Sequence, residues 1–456
     1  MSTAVEKADP AANRAPRSAF NASALPARVD AWLEARRGLA WALVTVLFGV
    51  VALIVVAPAA SGAGGLSPVD ELSYVDALDK ATRGELSNKG DKLDSYTRQV
   101  AICRGVIAWS EPNDSACGLP QPDASIPLNG YSAADIHPPT YFFSTAAVAK
   151  VVRLTGVTDD LLISGRLAGA LWLTLGMLTM VGLGRAWGAG WLVPVLTAVA
   201  TGASPLLVSV SGYLTPDGMG LLVGAGVLLA VTRWQSGRLP TVLLLLAAVS
   251  PAFVKVPFVL APLFGALLLL VAGLAGQTPW RRVVLGGTIL VGGAGAGAVL
   301  WQLMRNALAV GVPAAHDGVP YPVAFSTFAE YVGYYLETIP VTSGAPLPLP
   351  PLLGVAVLPL AWLLLVAALG GVLTRRRDDP LLPVCWAAMG GMVLGSIVLS
   401  MIVLVASGTF LMGLPRYGIA LLPLYAVPLM CTRHPVVVLG LLASAGGSVI
   451  SHLVLW

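Results

Sequence analysis

A chain of 456 residues in which 56% are apolar and only 11% are charged is not an ordinary soluble domain. Its mean hydropathy of +0.80, together with apolar runs longer than the roughly 18 residues that mark a spanning helix, describes a protein that crosses a membrane many times. The net charge of +4, from 27 basic and 23 acidic side chains, is too small to point to nucleic acid, so the placement of the charges carries more information than their sum.

Residues 1–36 are polar, with Ala, Pro and Ser, and read as a disordered cytoplasmic tail ahead of a polytopic unit over 37–456. Apolar stretches then follow over about 38–60, 161–184, 190–210, 218–232, 239–253, 256–275, 283–304, 351–373, 381–406, 414–431 and 436–455, eleven spans in all. The first follows basic residues as a secretory signal would. Its apolar run of roughly 20 residues is too long for one and reads as an uncleaved helix. With the N-terminus cytoplasmic, the short inner loops are all basic: Arg185, Arg233 and Arg238, Arg281 and Arg282, Arg375 to Arg377, and Arg433. Arg166, Lys255, Arg305 and Arg416 fall inside or at the ends of spans, all towards the outside.

The first outer loop, about 61–160, is long. It holds Cys103 and Cys117, which an oxidising exterior would allow to pair, or which stand as two separate thiols. The loop begins Ser67-Pro68-Val69-Asp70-Glu71. Ser67 as N-cap, Pro68 at N1 and apolar Leu72, Val75 and Leu78 predict a helix lying along the membrane surface. Asp70 and Glu71 then either complement the helix dipole or form a carboxylate pair at the water–lipid boundary. The loop closes with His137-Pro138-Pro139 and a second apolar helix to about Leu154, the prolines fixing the direction of approach. Thr215-Pro216-Asp217 opens a later span, with Thr215 as N-cap.

A charge inside a span costs roughly 2.5–3.5 kcal/mol near the helix centre, so such residues face protein or a polar cavity, or else snorkel. Snorkelling is the expectation for Arg305. Lys255, between Pro251 and Pro257, and Arg416, after Pro415, lie on the same side as Asp70, Glu71 and Asp217. Cations and carboxylates gathered at the outer edge of a bundle suit a lipid-linked phosphate with a reaction beside it. A second outer segment, about 305–350, carries Phe328, Glu330, Tyr331, Tyr334, Tyr335 and Glu337, read as an interfacial aromatic belt.

The carboxylate pair Asp70-Glu71 after the first span, the His137-Pro138-Pro139 stretch and the late Arg416-Tyr417 pair resemble the GT-C superfamily of polyprenyl-phosphate-sugar glycosyltransferases. The first two motifs are similar to the protein O-mannosyltransferase branch. The pair Arg416-Tyr417, followed by Leu421-Leu422-Pro423-Leu424, looks more like a bacterial membrane family of unknown function, number 2142. The resemblance implies an all-α integral membrane protein of about eleven transmembrane helices, GT-C-like, with two interfacial helices in its long first extracytoplasmic loop. It implies a cell-membrane enzyme that moves a sugar from a polyprenyl monophosphate to a hydroxyl of a cell-envelope glycan, lipid or protein on the extracytoplasmic face. In that scheme Asp70 is the general base with Glu71 beside it. Arg416, Lys255, Arg166 and Tyr417 bind the donor phosphate, while His137, Pro138, Pro139 and Asp217 shape the site. No cofactor is required; a divalent metal on Asp70, Glu71 and Asp217 stays open, although these three lack the spacing signature of such a site. Two other readings stay open: a multi-pass transporter or lipid flippase, and a catalytically silent GT-C-like subunit.

Overall fold

The structure is a computed structural model that describes residues 25–61, 65–68, 70–107, 110–311, 324, 326, 329–330, 351–407, 414–432 and 434–455. Among them are eight helices long and apolar enough to cross a membrane. These are α2 (Arg37–Ser61), α6 (Leu161–Ala186), α9 (Gly220–Gln235) with its opening turn, α11 (Leu260–Leu274) with its opening turn, α12 (Trp280–Ala307), α13 (Pro351–Thr374), α14 (Leu382–Ser407) and α16 (Pro435–Leu455). The other three apolar stretches are interrupted. The helices α7 (Leu192–Gly202) and α8 (Pro205–Ser211) meet at a 64° bend where Ser204-Pro205 breaks the chain. Helix α10 (Thr241–Val249) stops at a 3₁₀ turn around Pro251, and α15 (Leu422–Met430) follows the 3₁₀ turn Pro415–Leu421. Most of the expected second outer segment, including Phe328, Tyr331, Tyr334, Tyr335 and Glu337, lies outside the described residues.

The helices pack as neighbours α2 on α6, α6 on α9, α11 on α12 and α14, and α13 on α16. Two glycines allow the approaches that shape the later site. A Cβ on Gly169 of α6 would stand 2.0 Å from the Ser211 carbonyl oxygen, and one on Gly224 of α9 would stand 2.0 Å from that of Ala420. Only glycine lets α8 and the Pro415 turn seat against these helices.

Part of the expected disordered tail is ordered. Residues 25–35 form helix α1 (Leu25–Ala35), which docks through its carboxylates. Asp30 Oδ1 accepts the backbone N–H groups of Trp191 and Leu192 at 2.7 and 2.9 Å, filling donors left open at the start of α7. Glu34 binds Arg185 at 2.6 Å and the Trp191 indole at 3.1 Å. This capping partner lies some 160 residues downstream in sequence, out of reach of a local reading.

The long loop contains α3 (Glu71–Thr82), α4 (Ser95–Arg104) and α5 (Thr140–Leu154). Ser67 does not cap α3. The N-cap is Asp70, in left-handed conformation at φ 62° and with no capping hydrogen bond from its side chain. Nor does α3 lie open on a surface, because its residues from Ser73 to Leu78 are buried on every side. The rest of the loop folds over it, held by Lys80, which donates to Asp76 at 3.0 Å, Asp91 at 3.3 Å and the Lys92 carbonyl at 3.2 Å. Cys103 and Cys117 form a disulfide. Arg305 does not snorkel: its guanidinium donates twice to the buried Asp135, at 2.9 and 2.7 Å, and ties α12 to the end of the loop.

The start of α3 is fixed from inside by Glu71. Its carboxylate is fully buried and receives Arg166 Nε at 2.8 Å, Arg166 Nη2 at 2.7 Å, Leu214 N at 2.8 Å and Ser67 N at 2.6 Å. Arg166 spends its remaining donors on the carbonyls of Ala59 and Gly65, at 3.1 and 3.2 Å. Removing one member of such a buried pair strands the other charge. Glu71→Gln is therefore expected to cost on the order of 3–5 kcal/mol of unfolding free energy in a detergent titration, with Glu71→Leu/Arg166→Met recovering part of the loss. A single variant as stable as wild type would show that the pair does not hold the loop.

Candidate active site

Three helix starts and the N-terminus of α3 converge on one polar cluster. Proline opens each of the three 3₁₀ turns, Pro216–Met219, Val256–Val259 and Pro415–Leu421, at its first or second position. Its ring pre-sets the first turn and its missing N–H is one the turn leaves unpaired in any case. Each turn delivers a charge: Asp217 from the first, Lys255 as N-cap of the second, Arg416 from the third. Asp217 is also held as expected, with Thr215 as N-cap accepting from the Asp217 N–H at 3.4 Å.

Asp217 is fully buried and lies at the centre. Lys255 Nζ donates to its Oδ2 at 2.6 Å, Thr215 Oγ1 donates to the same oxygen at 3.1 Å, and Arg416 Nε stands 3.7 Å away. Arg416 reaches further out, its Nη2 donating to Asp70 Oδ2 at 2.9 Å. The Tyr417 ring packs under both cations, 4.9 Å from Lys255 Nζ and 5.3 Å from the Arg416 guanidinium carbon. Within this cluster Asp70 is the exposed member, its side chain 48% accessible against 12% for Arg416. Two buried nitrogens of Arg416, Nε and Nη1, and the buried Oδ1 of Asp217 have no hydrogen-bond partner among the described residues. Buried polar atoms of this kind normally find one, so a ligand's acceptor and donor atoms fit here.

Behind Asp70 stand two more groups. The Tyr74 hydroxyl lies 3.5 Å from Asp70 Oδ2 and 2.9 Å from His137 Nε2. Burial, then the charge of Asp70, holds the Tyr74 phenol well above its ordinary pKa, so it stays protonated. Loss of solvent, reinforced by Lys255, Arg416 and Arg305, holds His137 well below its ordinary pKa of 6.5, so the ring is neutral. Pro138 is buried and Pro139 is the N-cap of α5, which places His137 at the turn into that helix.

The structure thus brings together Asp70, Asp217, Lys255, Arg416, Tyr417 and His137. Glu71 and Arg166 are turned away from this group and bound to each other, both side chains 1% exposed. Tyr74 was not singled out from sequence, although it follows Asp70 by one helical turn, the spacing at which side chains meet. Tyr141, whose hydroxyl accepts from Thr215 N at 3.1 Å, had no comparable signal. Among the described residues no three His, Cys, Asp or Glu side chains are grouped as metal ligands.

No protein-family model matches the chain, and no curated protein matches it. Among solved structures it is similar to ArnT from Cupriavidus metallidurans, whose crystal structure is bound to undecaprenyl phosphate. The two are 17% identical over 88% of this chain and 59% of that one, with a TM-score of 0.46. This chain therefore spans less than two thirds of that protein's length.

His137 has a measurable signature. A histidine held neutral in the folded protein but free to protonate when unfolded makes the unfolded state bind more protons below about 6.5, so stability falls there as pH falls. Above that value its contribution vanishes. The melting temperature of wild type is expected to drop more steeply than that of His137→Gln as pH is lowered through 6.5. Parallel curves for the two proteins would show that the imidazole is not held neutral.

Proposed function

We propose that the protein is a membrane glycosyltransferase that moves a sugar from a polyprenyl monophosphate to a hydroxyl of a cell-envelope acceptor on the extracytoplasmic face. The observation that carries this reading is the pairing of a half-exposed carboxylate, Asp70, with a buried guanidinium two of whose nitrogens have no hydrogen-bond partner among the described residues, beside a buried lysine. Glycosyl transfer needs a base on the acceptor hydroxyl and positive charge where the phosphate departs. Asp70 and the Arg416–Lys255 pair supply these side by side.

In the reaction the acceptor oxygen bonds to the anomeric carbon as the bond from that carbon to the phosphate oxygen breaks. The hydroxyl proton passes to Asp70, and the electron pair leaves on the polyprenyl phosphate. Arg416 takes the phosphate through the two nitrogens that have no hydrogen-bond partner among the described residues, and Lys255 adds charge from beneath. Asp217 holds both cations in place. Tyr74 orients the Asp70 carboxylate, and neutral His137 orients Tyr74.

The positive-inside pattern supports the placement on the outer face, because the site lies at the helix ends opposite the basic short loops. Glu71 and Arg166, expected as catalytic and phosphate-binding groups, serve in this reading to hold the loop that presents Asp70.

The test uses undecaprenyl phosphate as probe with the detergent-purified protein. Wild type is expected to retain the lipid in native mass spectrometry and to gain thermal stability from it, as any ligand of the folded state confers. Arg416→Ala is expected to bind at least about tenfold more weakly, the scale of losing one charge-assisted pair. Asp70→Asn is expected to keep the lipid and lose transfer in membranes that supply the glycosylated donor. Equal binding by wild type and Arg416→Ala would remove the donor site, no binding by either would favour the transport reading, and undiminished transfer by Asp70→Asn would remove the base.

A further inference from the structure

A second built feature lies at the opposite end of the bundle, on the side of the basic short loops. Helices α11 and α14 line an open groove of about 680 Å³, within the range of roughly 300–1,000 Å³ typical of ligand pockets. Its walls are almost entirely apolar. Val271 and Leu274 come from α11, Trp386 and Met389 from α14, and Leu274 and Trp386 are 68% and 50% exposed. Gly390 lines it too, where a Cβ would stand 2.8 Å from Leu267 Cδ2 and would push that leucine tip aside.

One cation stands at the mouth. Arg377 lines the groove, is exposed, and has no ion pair or side-chain hydrogen bond among the described residues. Its neighbour Arg375 is already committed to Asp379 at 2.7 Å. The loop that carries Arg377 is held in place, since the Gln277 amide donates to the carbonyls of Arg377 and Asp379, each at 2.8 Å. That fastening joins the loop to the end of α11, the helix that supplies the groove's other wall. The result is an exposed guanidinium, unpaired among the described residues, on a backbone held at the mouth of an apolar groove and on the side of the basic short loops.

We infer that this groove is a binding site for an anionic phospholipid of the cytoplasmic leaflet, an acyl chain lying between α11 and α14 and the headgroup phosphate on Arg377. Basic pockets between transmembrane helices on the cytoplasmic side are suited to such headgroups. The charge favours a lipid with net negative charge over a zwitterionic one, whose cation would meet Arg377 along with the phosphate. This site is separate from the Asp70 cluster and does not depend on the reaction proposed for it.

The experiment uses the full chain in phosphatidylcholine nanodiscs doped at equal mole fraction with brominated phosphatidylglycerol or brominated phosphatidylcholine. Bromine quenches tryptophan at contact, and the contribution of Trp386 is isolated by subtracting the Trp386→Phe variant. Brominated phosphatidylglycerol is expected to quench Trp386 at about fivefold lower mole fraction than brominated phosphatidylcholine, the preference that one arginine near a headgroup confers. Arg377→Gln should abolish that preference and Arg377→Lys should retain most of it. Equal quenching by the two lipids in wild type would mean annular lipid only and would overturn the proposal. Displacement of brominated phosphatidylglycerol by undecaprenyl phosphate at an equal mole fraction would assign the groove to an isoprenoid phosphate and overturn it as well.

Discussion

The buried ion pair between Glu71 and Arg166 is the constraint on which the site depends. Each charge would be costly alone in a low-dielectric interior, and the pair is tolerable because nearly every polar atom of both groups is used. Glu71 accepts from two backbone N–H groups besides the guanidinium, and Arg166 reaches two carbonyls besides the carboxylate. Those partners come from the end of α2, the segment after it, α6 and the segment before Asp217. The pair therefore joins the parts of the chain that carry the cluster. It also decides what its neighbour does. With Glu71 drawn inward as the first residue of α3, Asp70 is left as the N-cap, in a left-handed conformation that aspartate tolerates better than most residues. Its carboxylate points out to meet Arg416.

The same rule governs the other charges at this end of the bundle. Lys255 is matched by Asp217, Arg305 by Asp135, and Arg416 by Asp70 with Asp217 nearby. All lie at helix starts or ends, where the cost of a charge is lower than at the centre of a span. The prolines that interrupt these apolar stretches explain why the helix starts come at this depth. A chain of uninterrupted spans would have no turn at which to present Asp217, Lys255 and Arg416 to one another.

The apolar stretches, the helical ends of the long loop and the gathering of cations on one side were legible in the sequence because each depends on local pattern. Pairing was not. Arg166 and Glu71 are 95 residues apart, Arg305 and Asp135 are 170, and Arg416 and Asp70 are 346, so no window contains both partners. That is why Glu71 read as a second catalytic carboxylate beside Asp70 and Arg166 as a phosphate ligand. Adjacent residues at the start of a helix point in different directions, and only the packed structure shows which one faces the core. Helix α1 was missed for the same reason. Its residues are mostly good helix formers with Pro26 in the first turn, but the contact that docks it, Asp30 on the start of α7, joins positions some 160 residues apart.

The geometry of Asp70 also bears on the order of events in the proposed reaction. In the free protein one carboxylate oxygen is held by Arg416, so the group is occupied by the cation that the donor phosphate would claim. A phosphate carries more charge than a carboxylate and can engage the two Arg416 nitrogens that Asp70 does not reach. Its arrival would draw the guanidinium away and leave Asp70 with the weaker contact to Tyr74, free to accept a proton. The base would then become available only when donor is present, and the cluster would return to its paired state as the polyprenyl phosphate leaves. The exchange needs the two buried Arg416 nitrogens to be uncovered. The cations stay on turns fixed by proline, Asp217 keeps its hold on Lys255, and what changes is the partner of a single arginine.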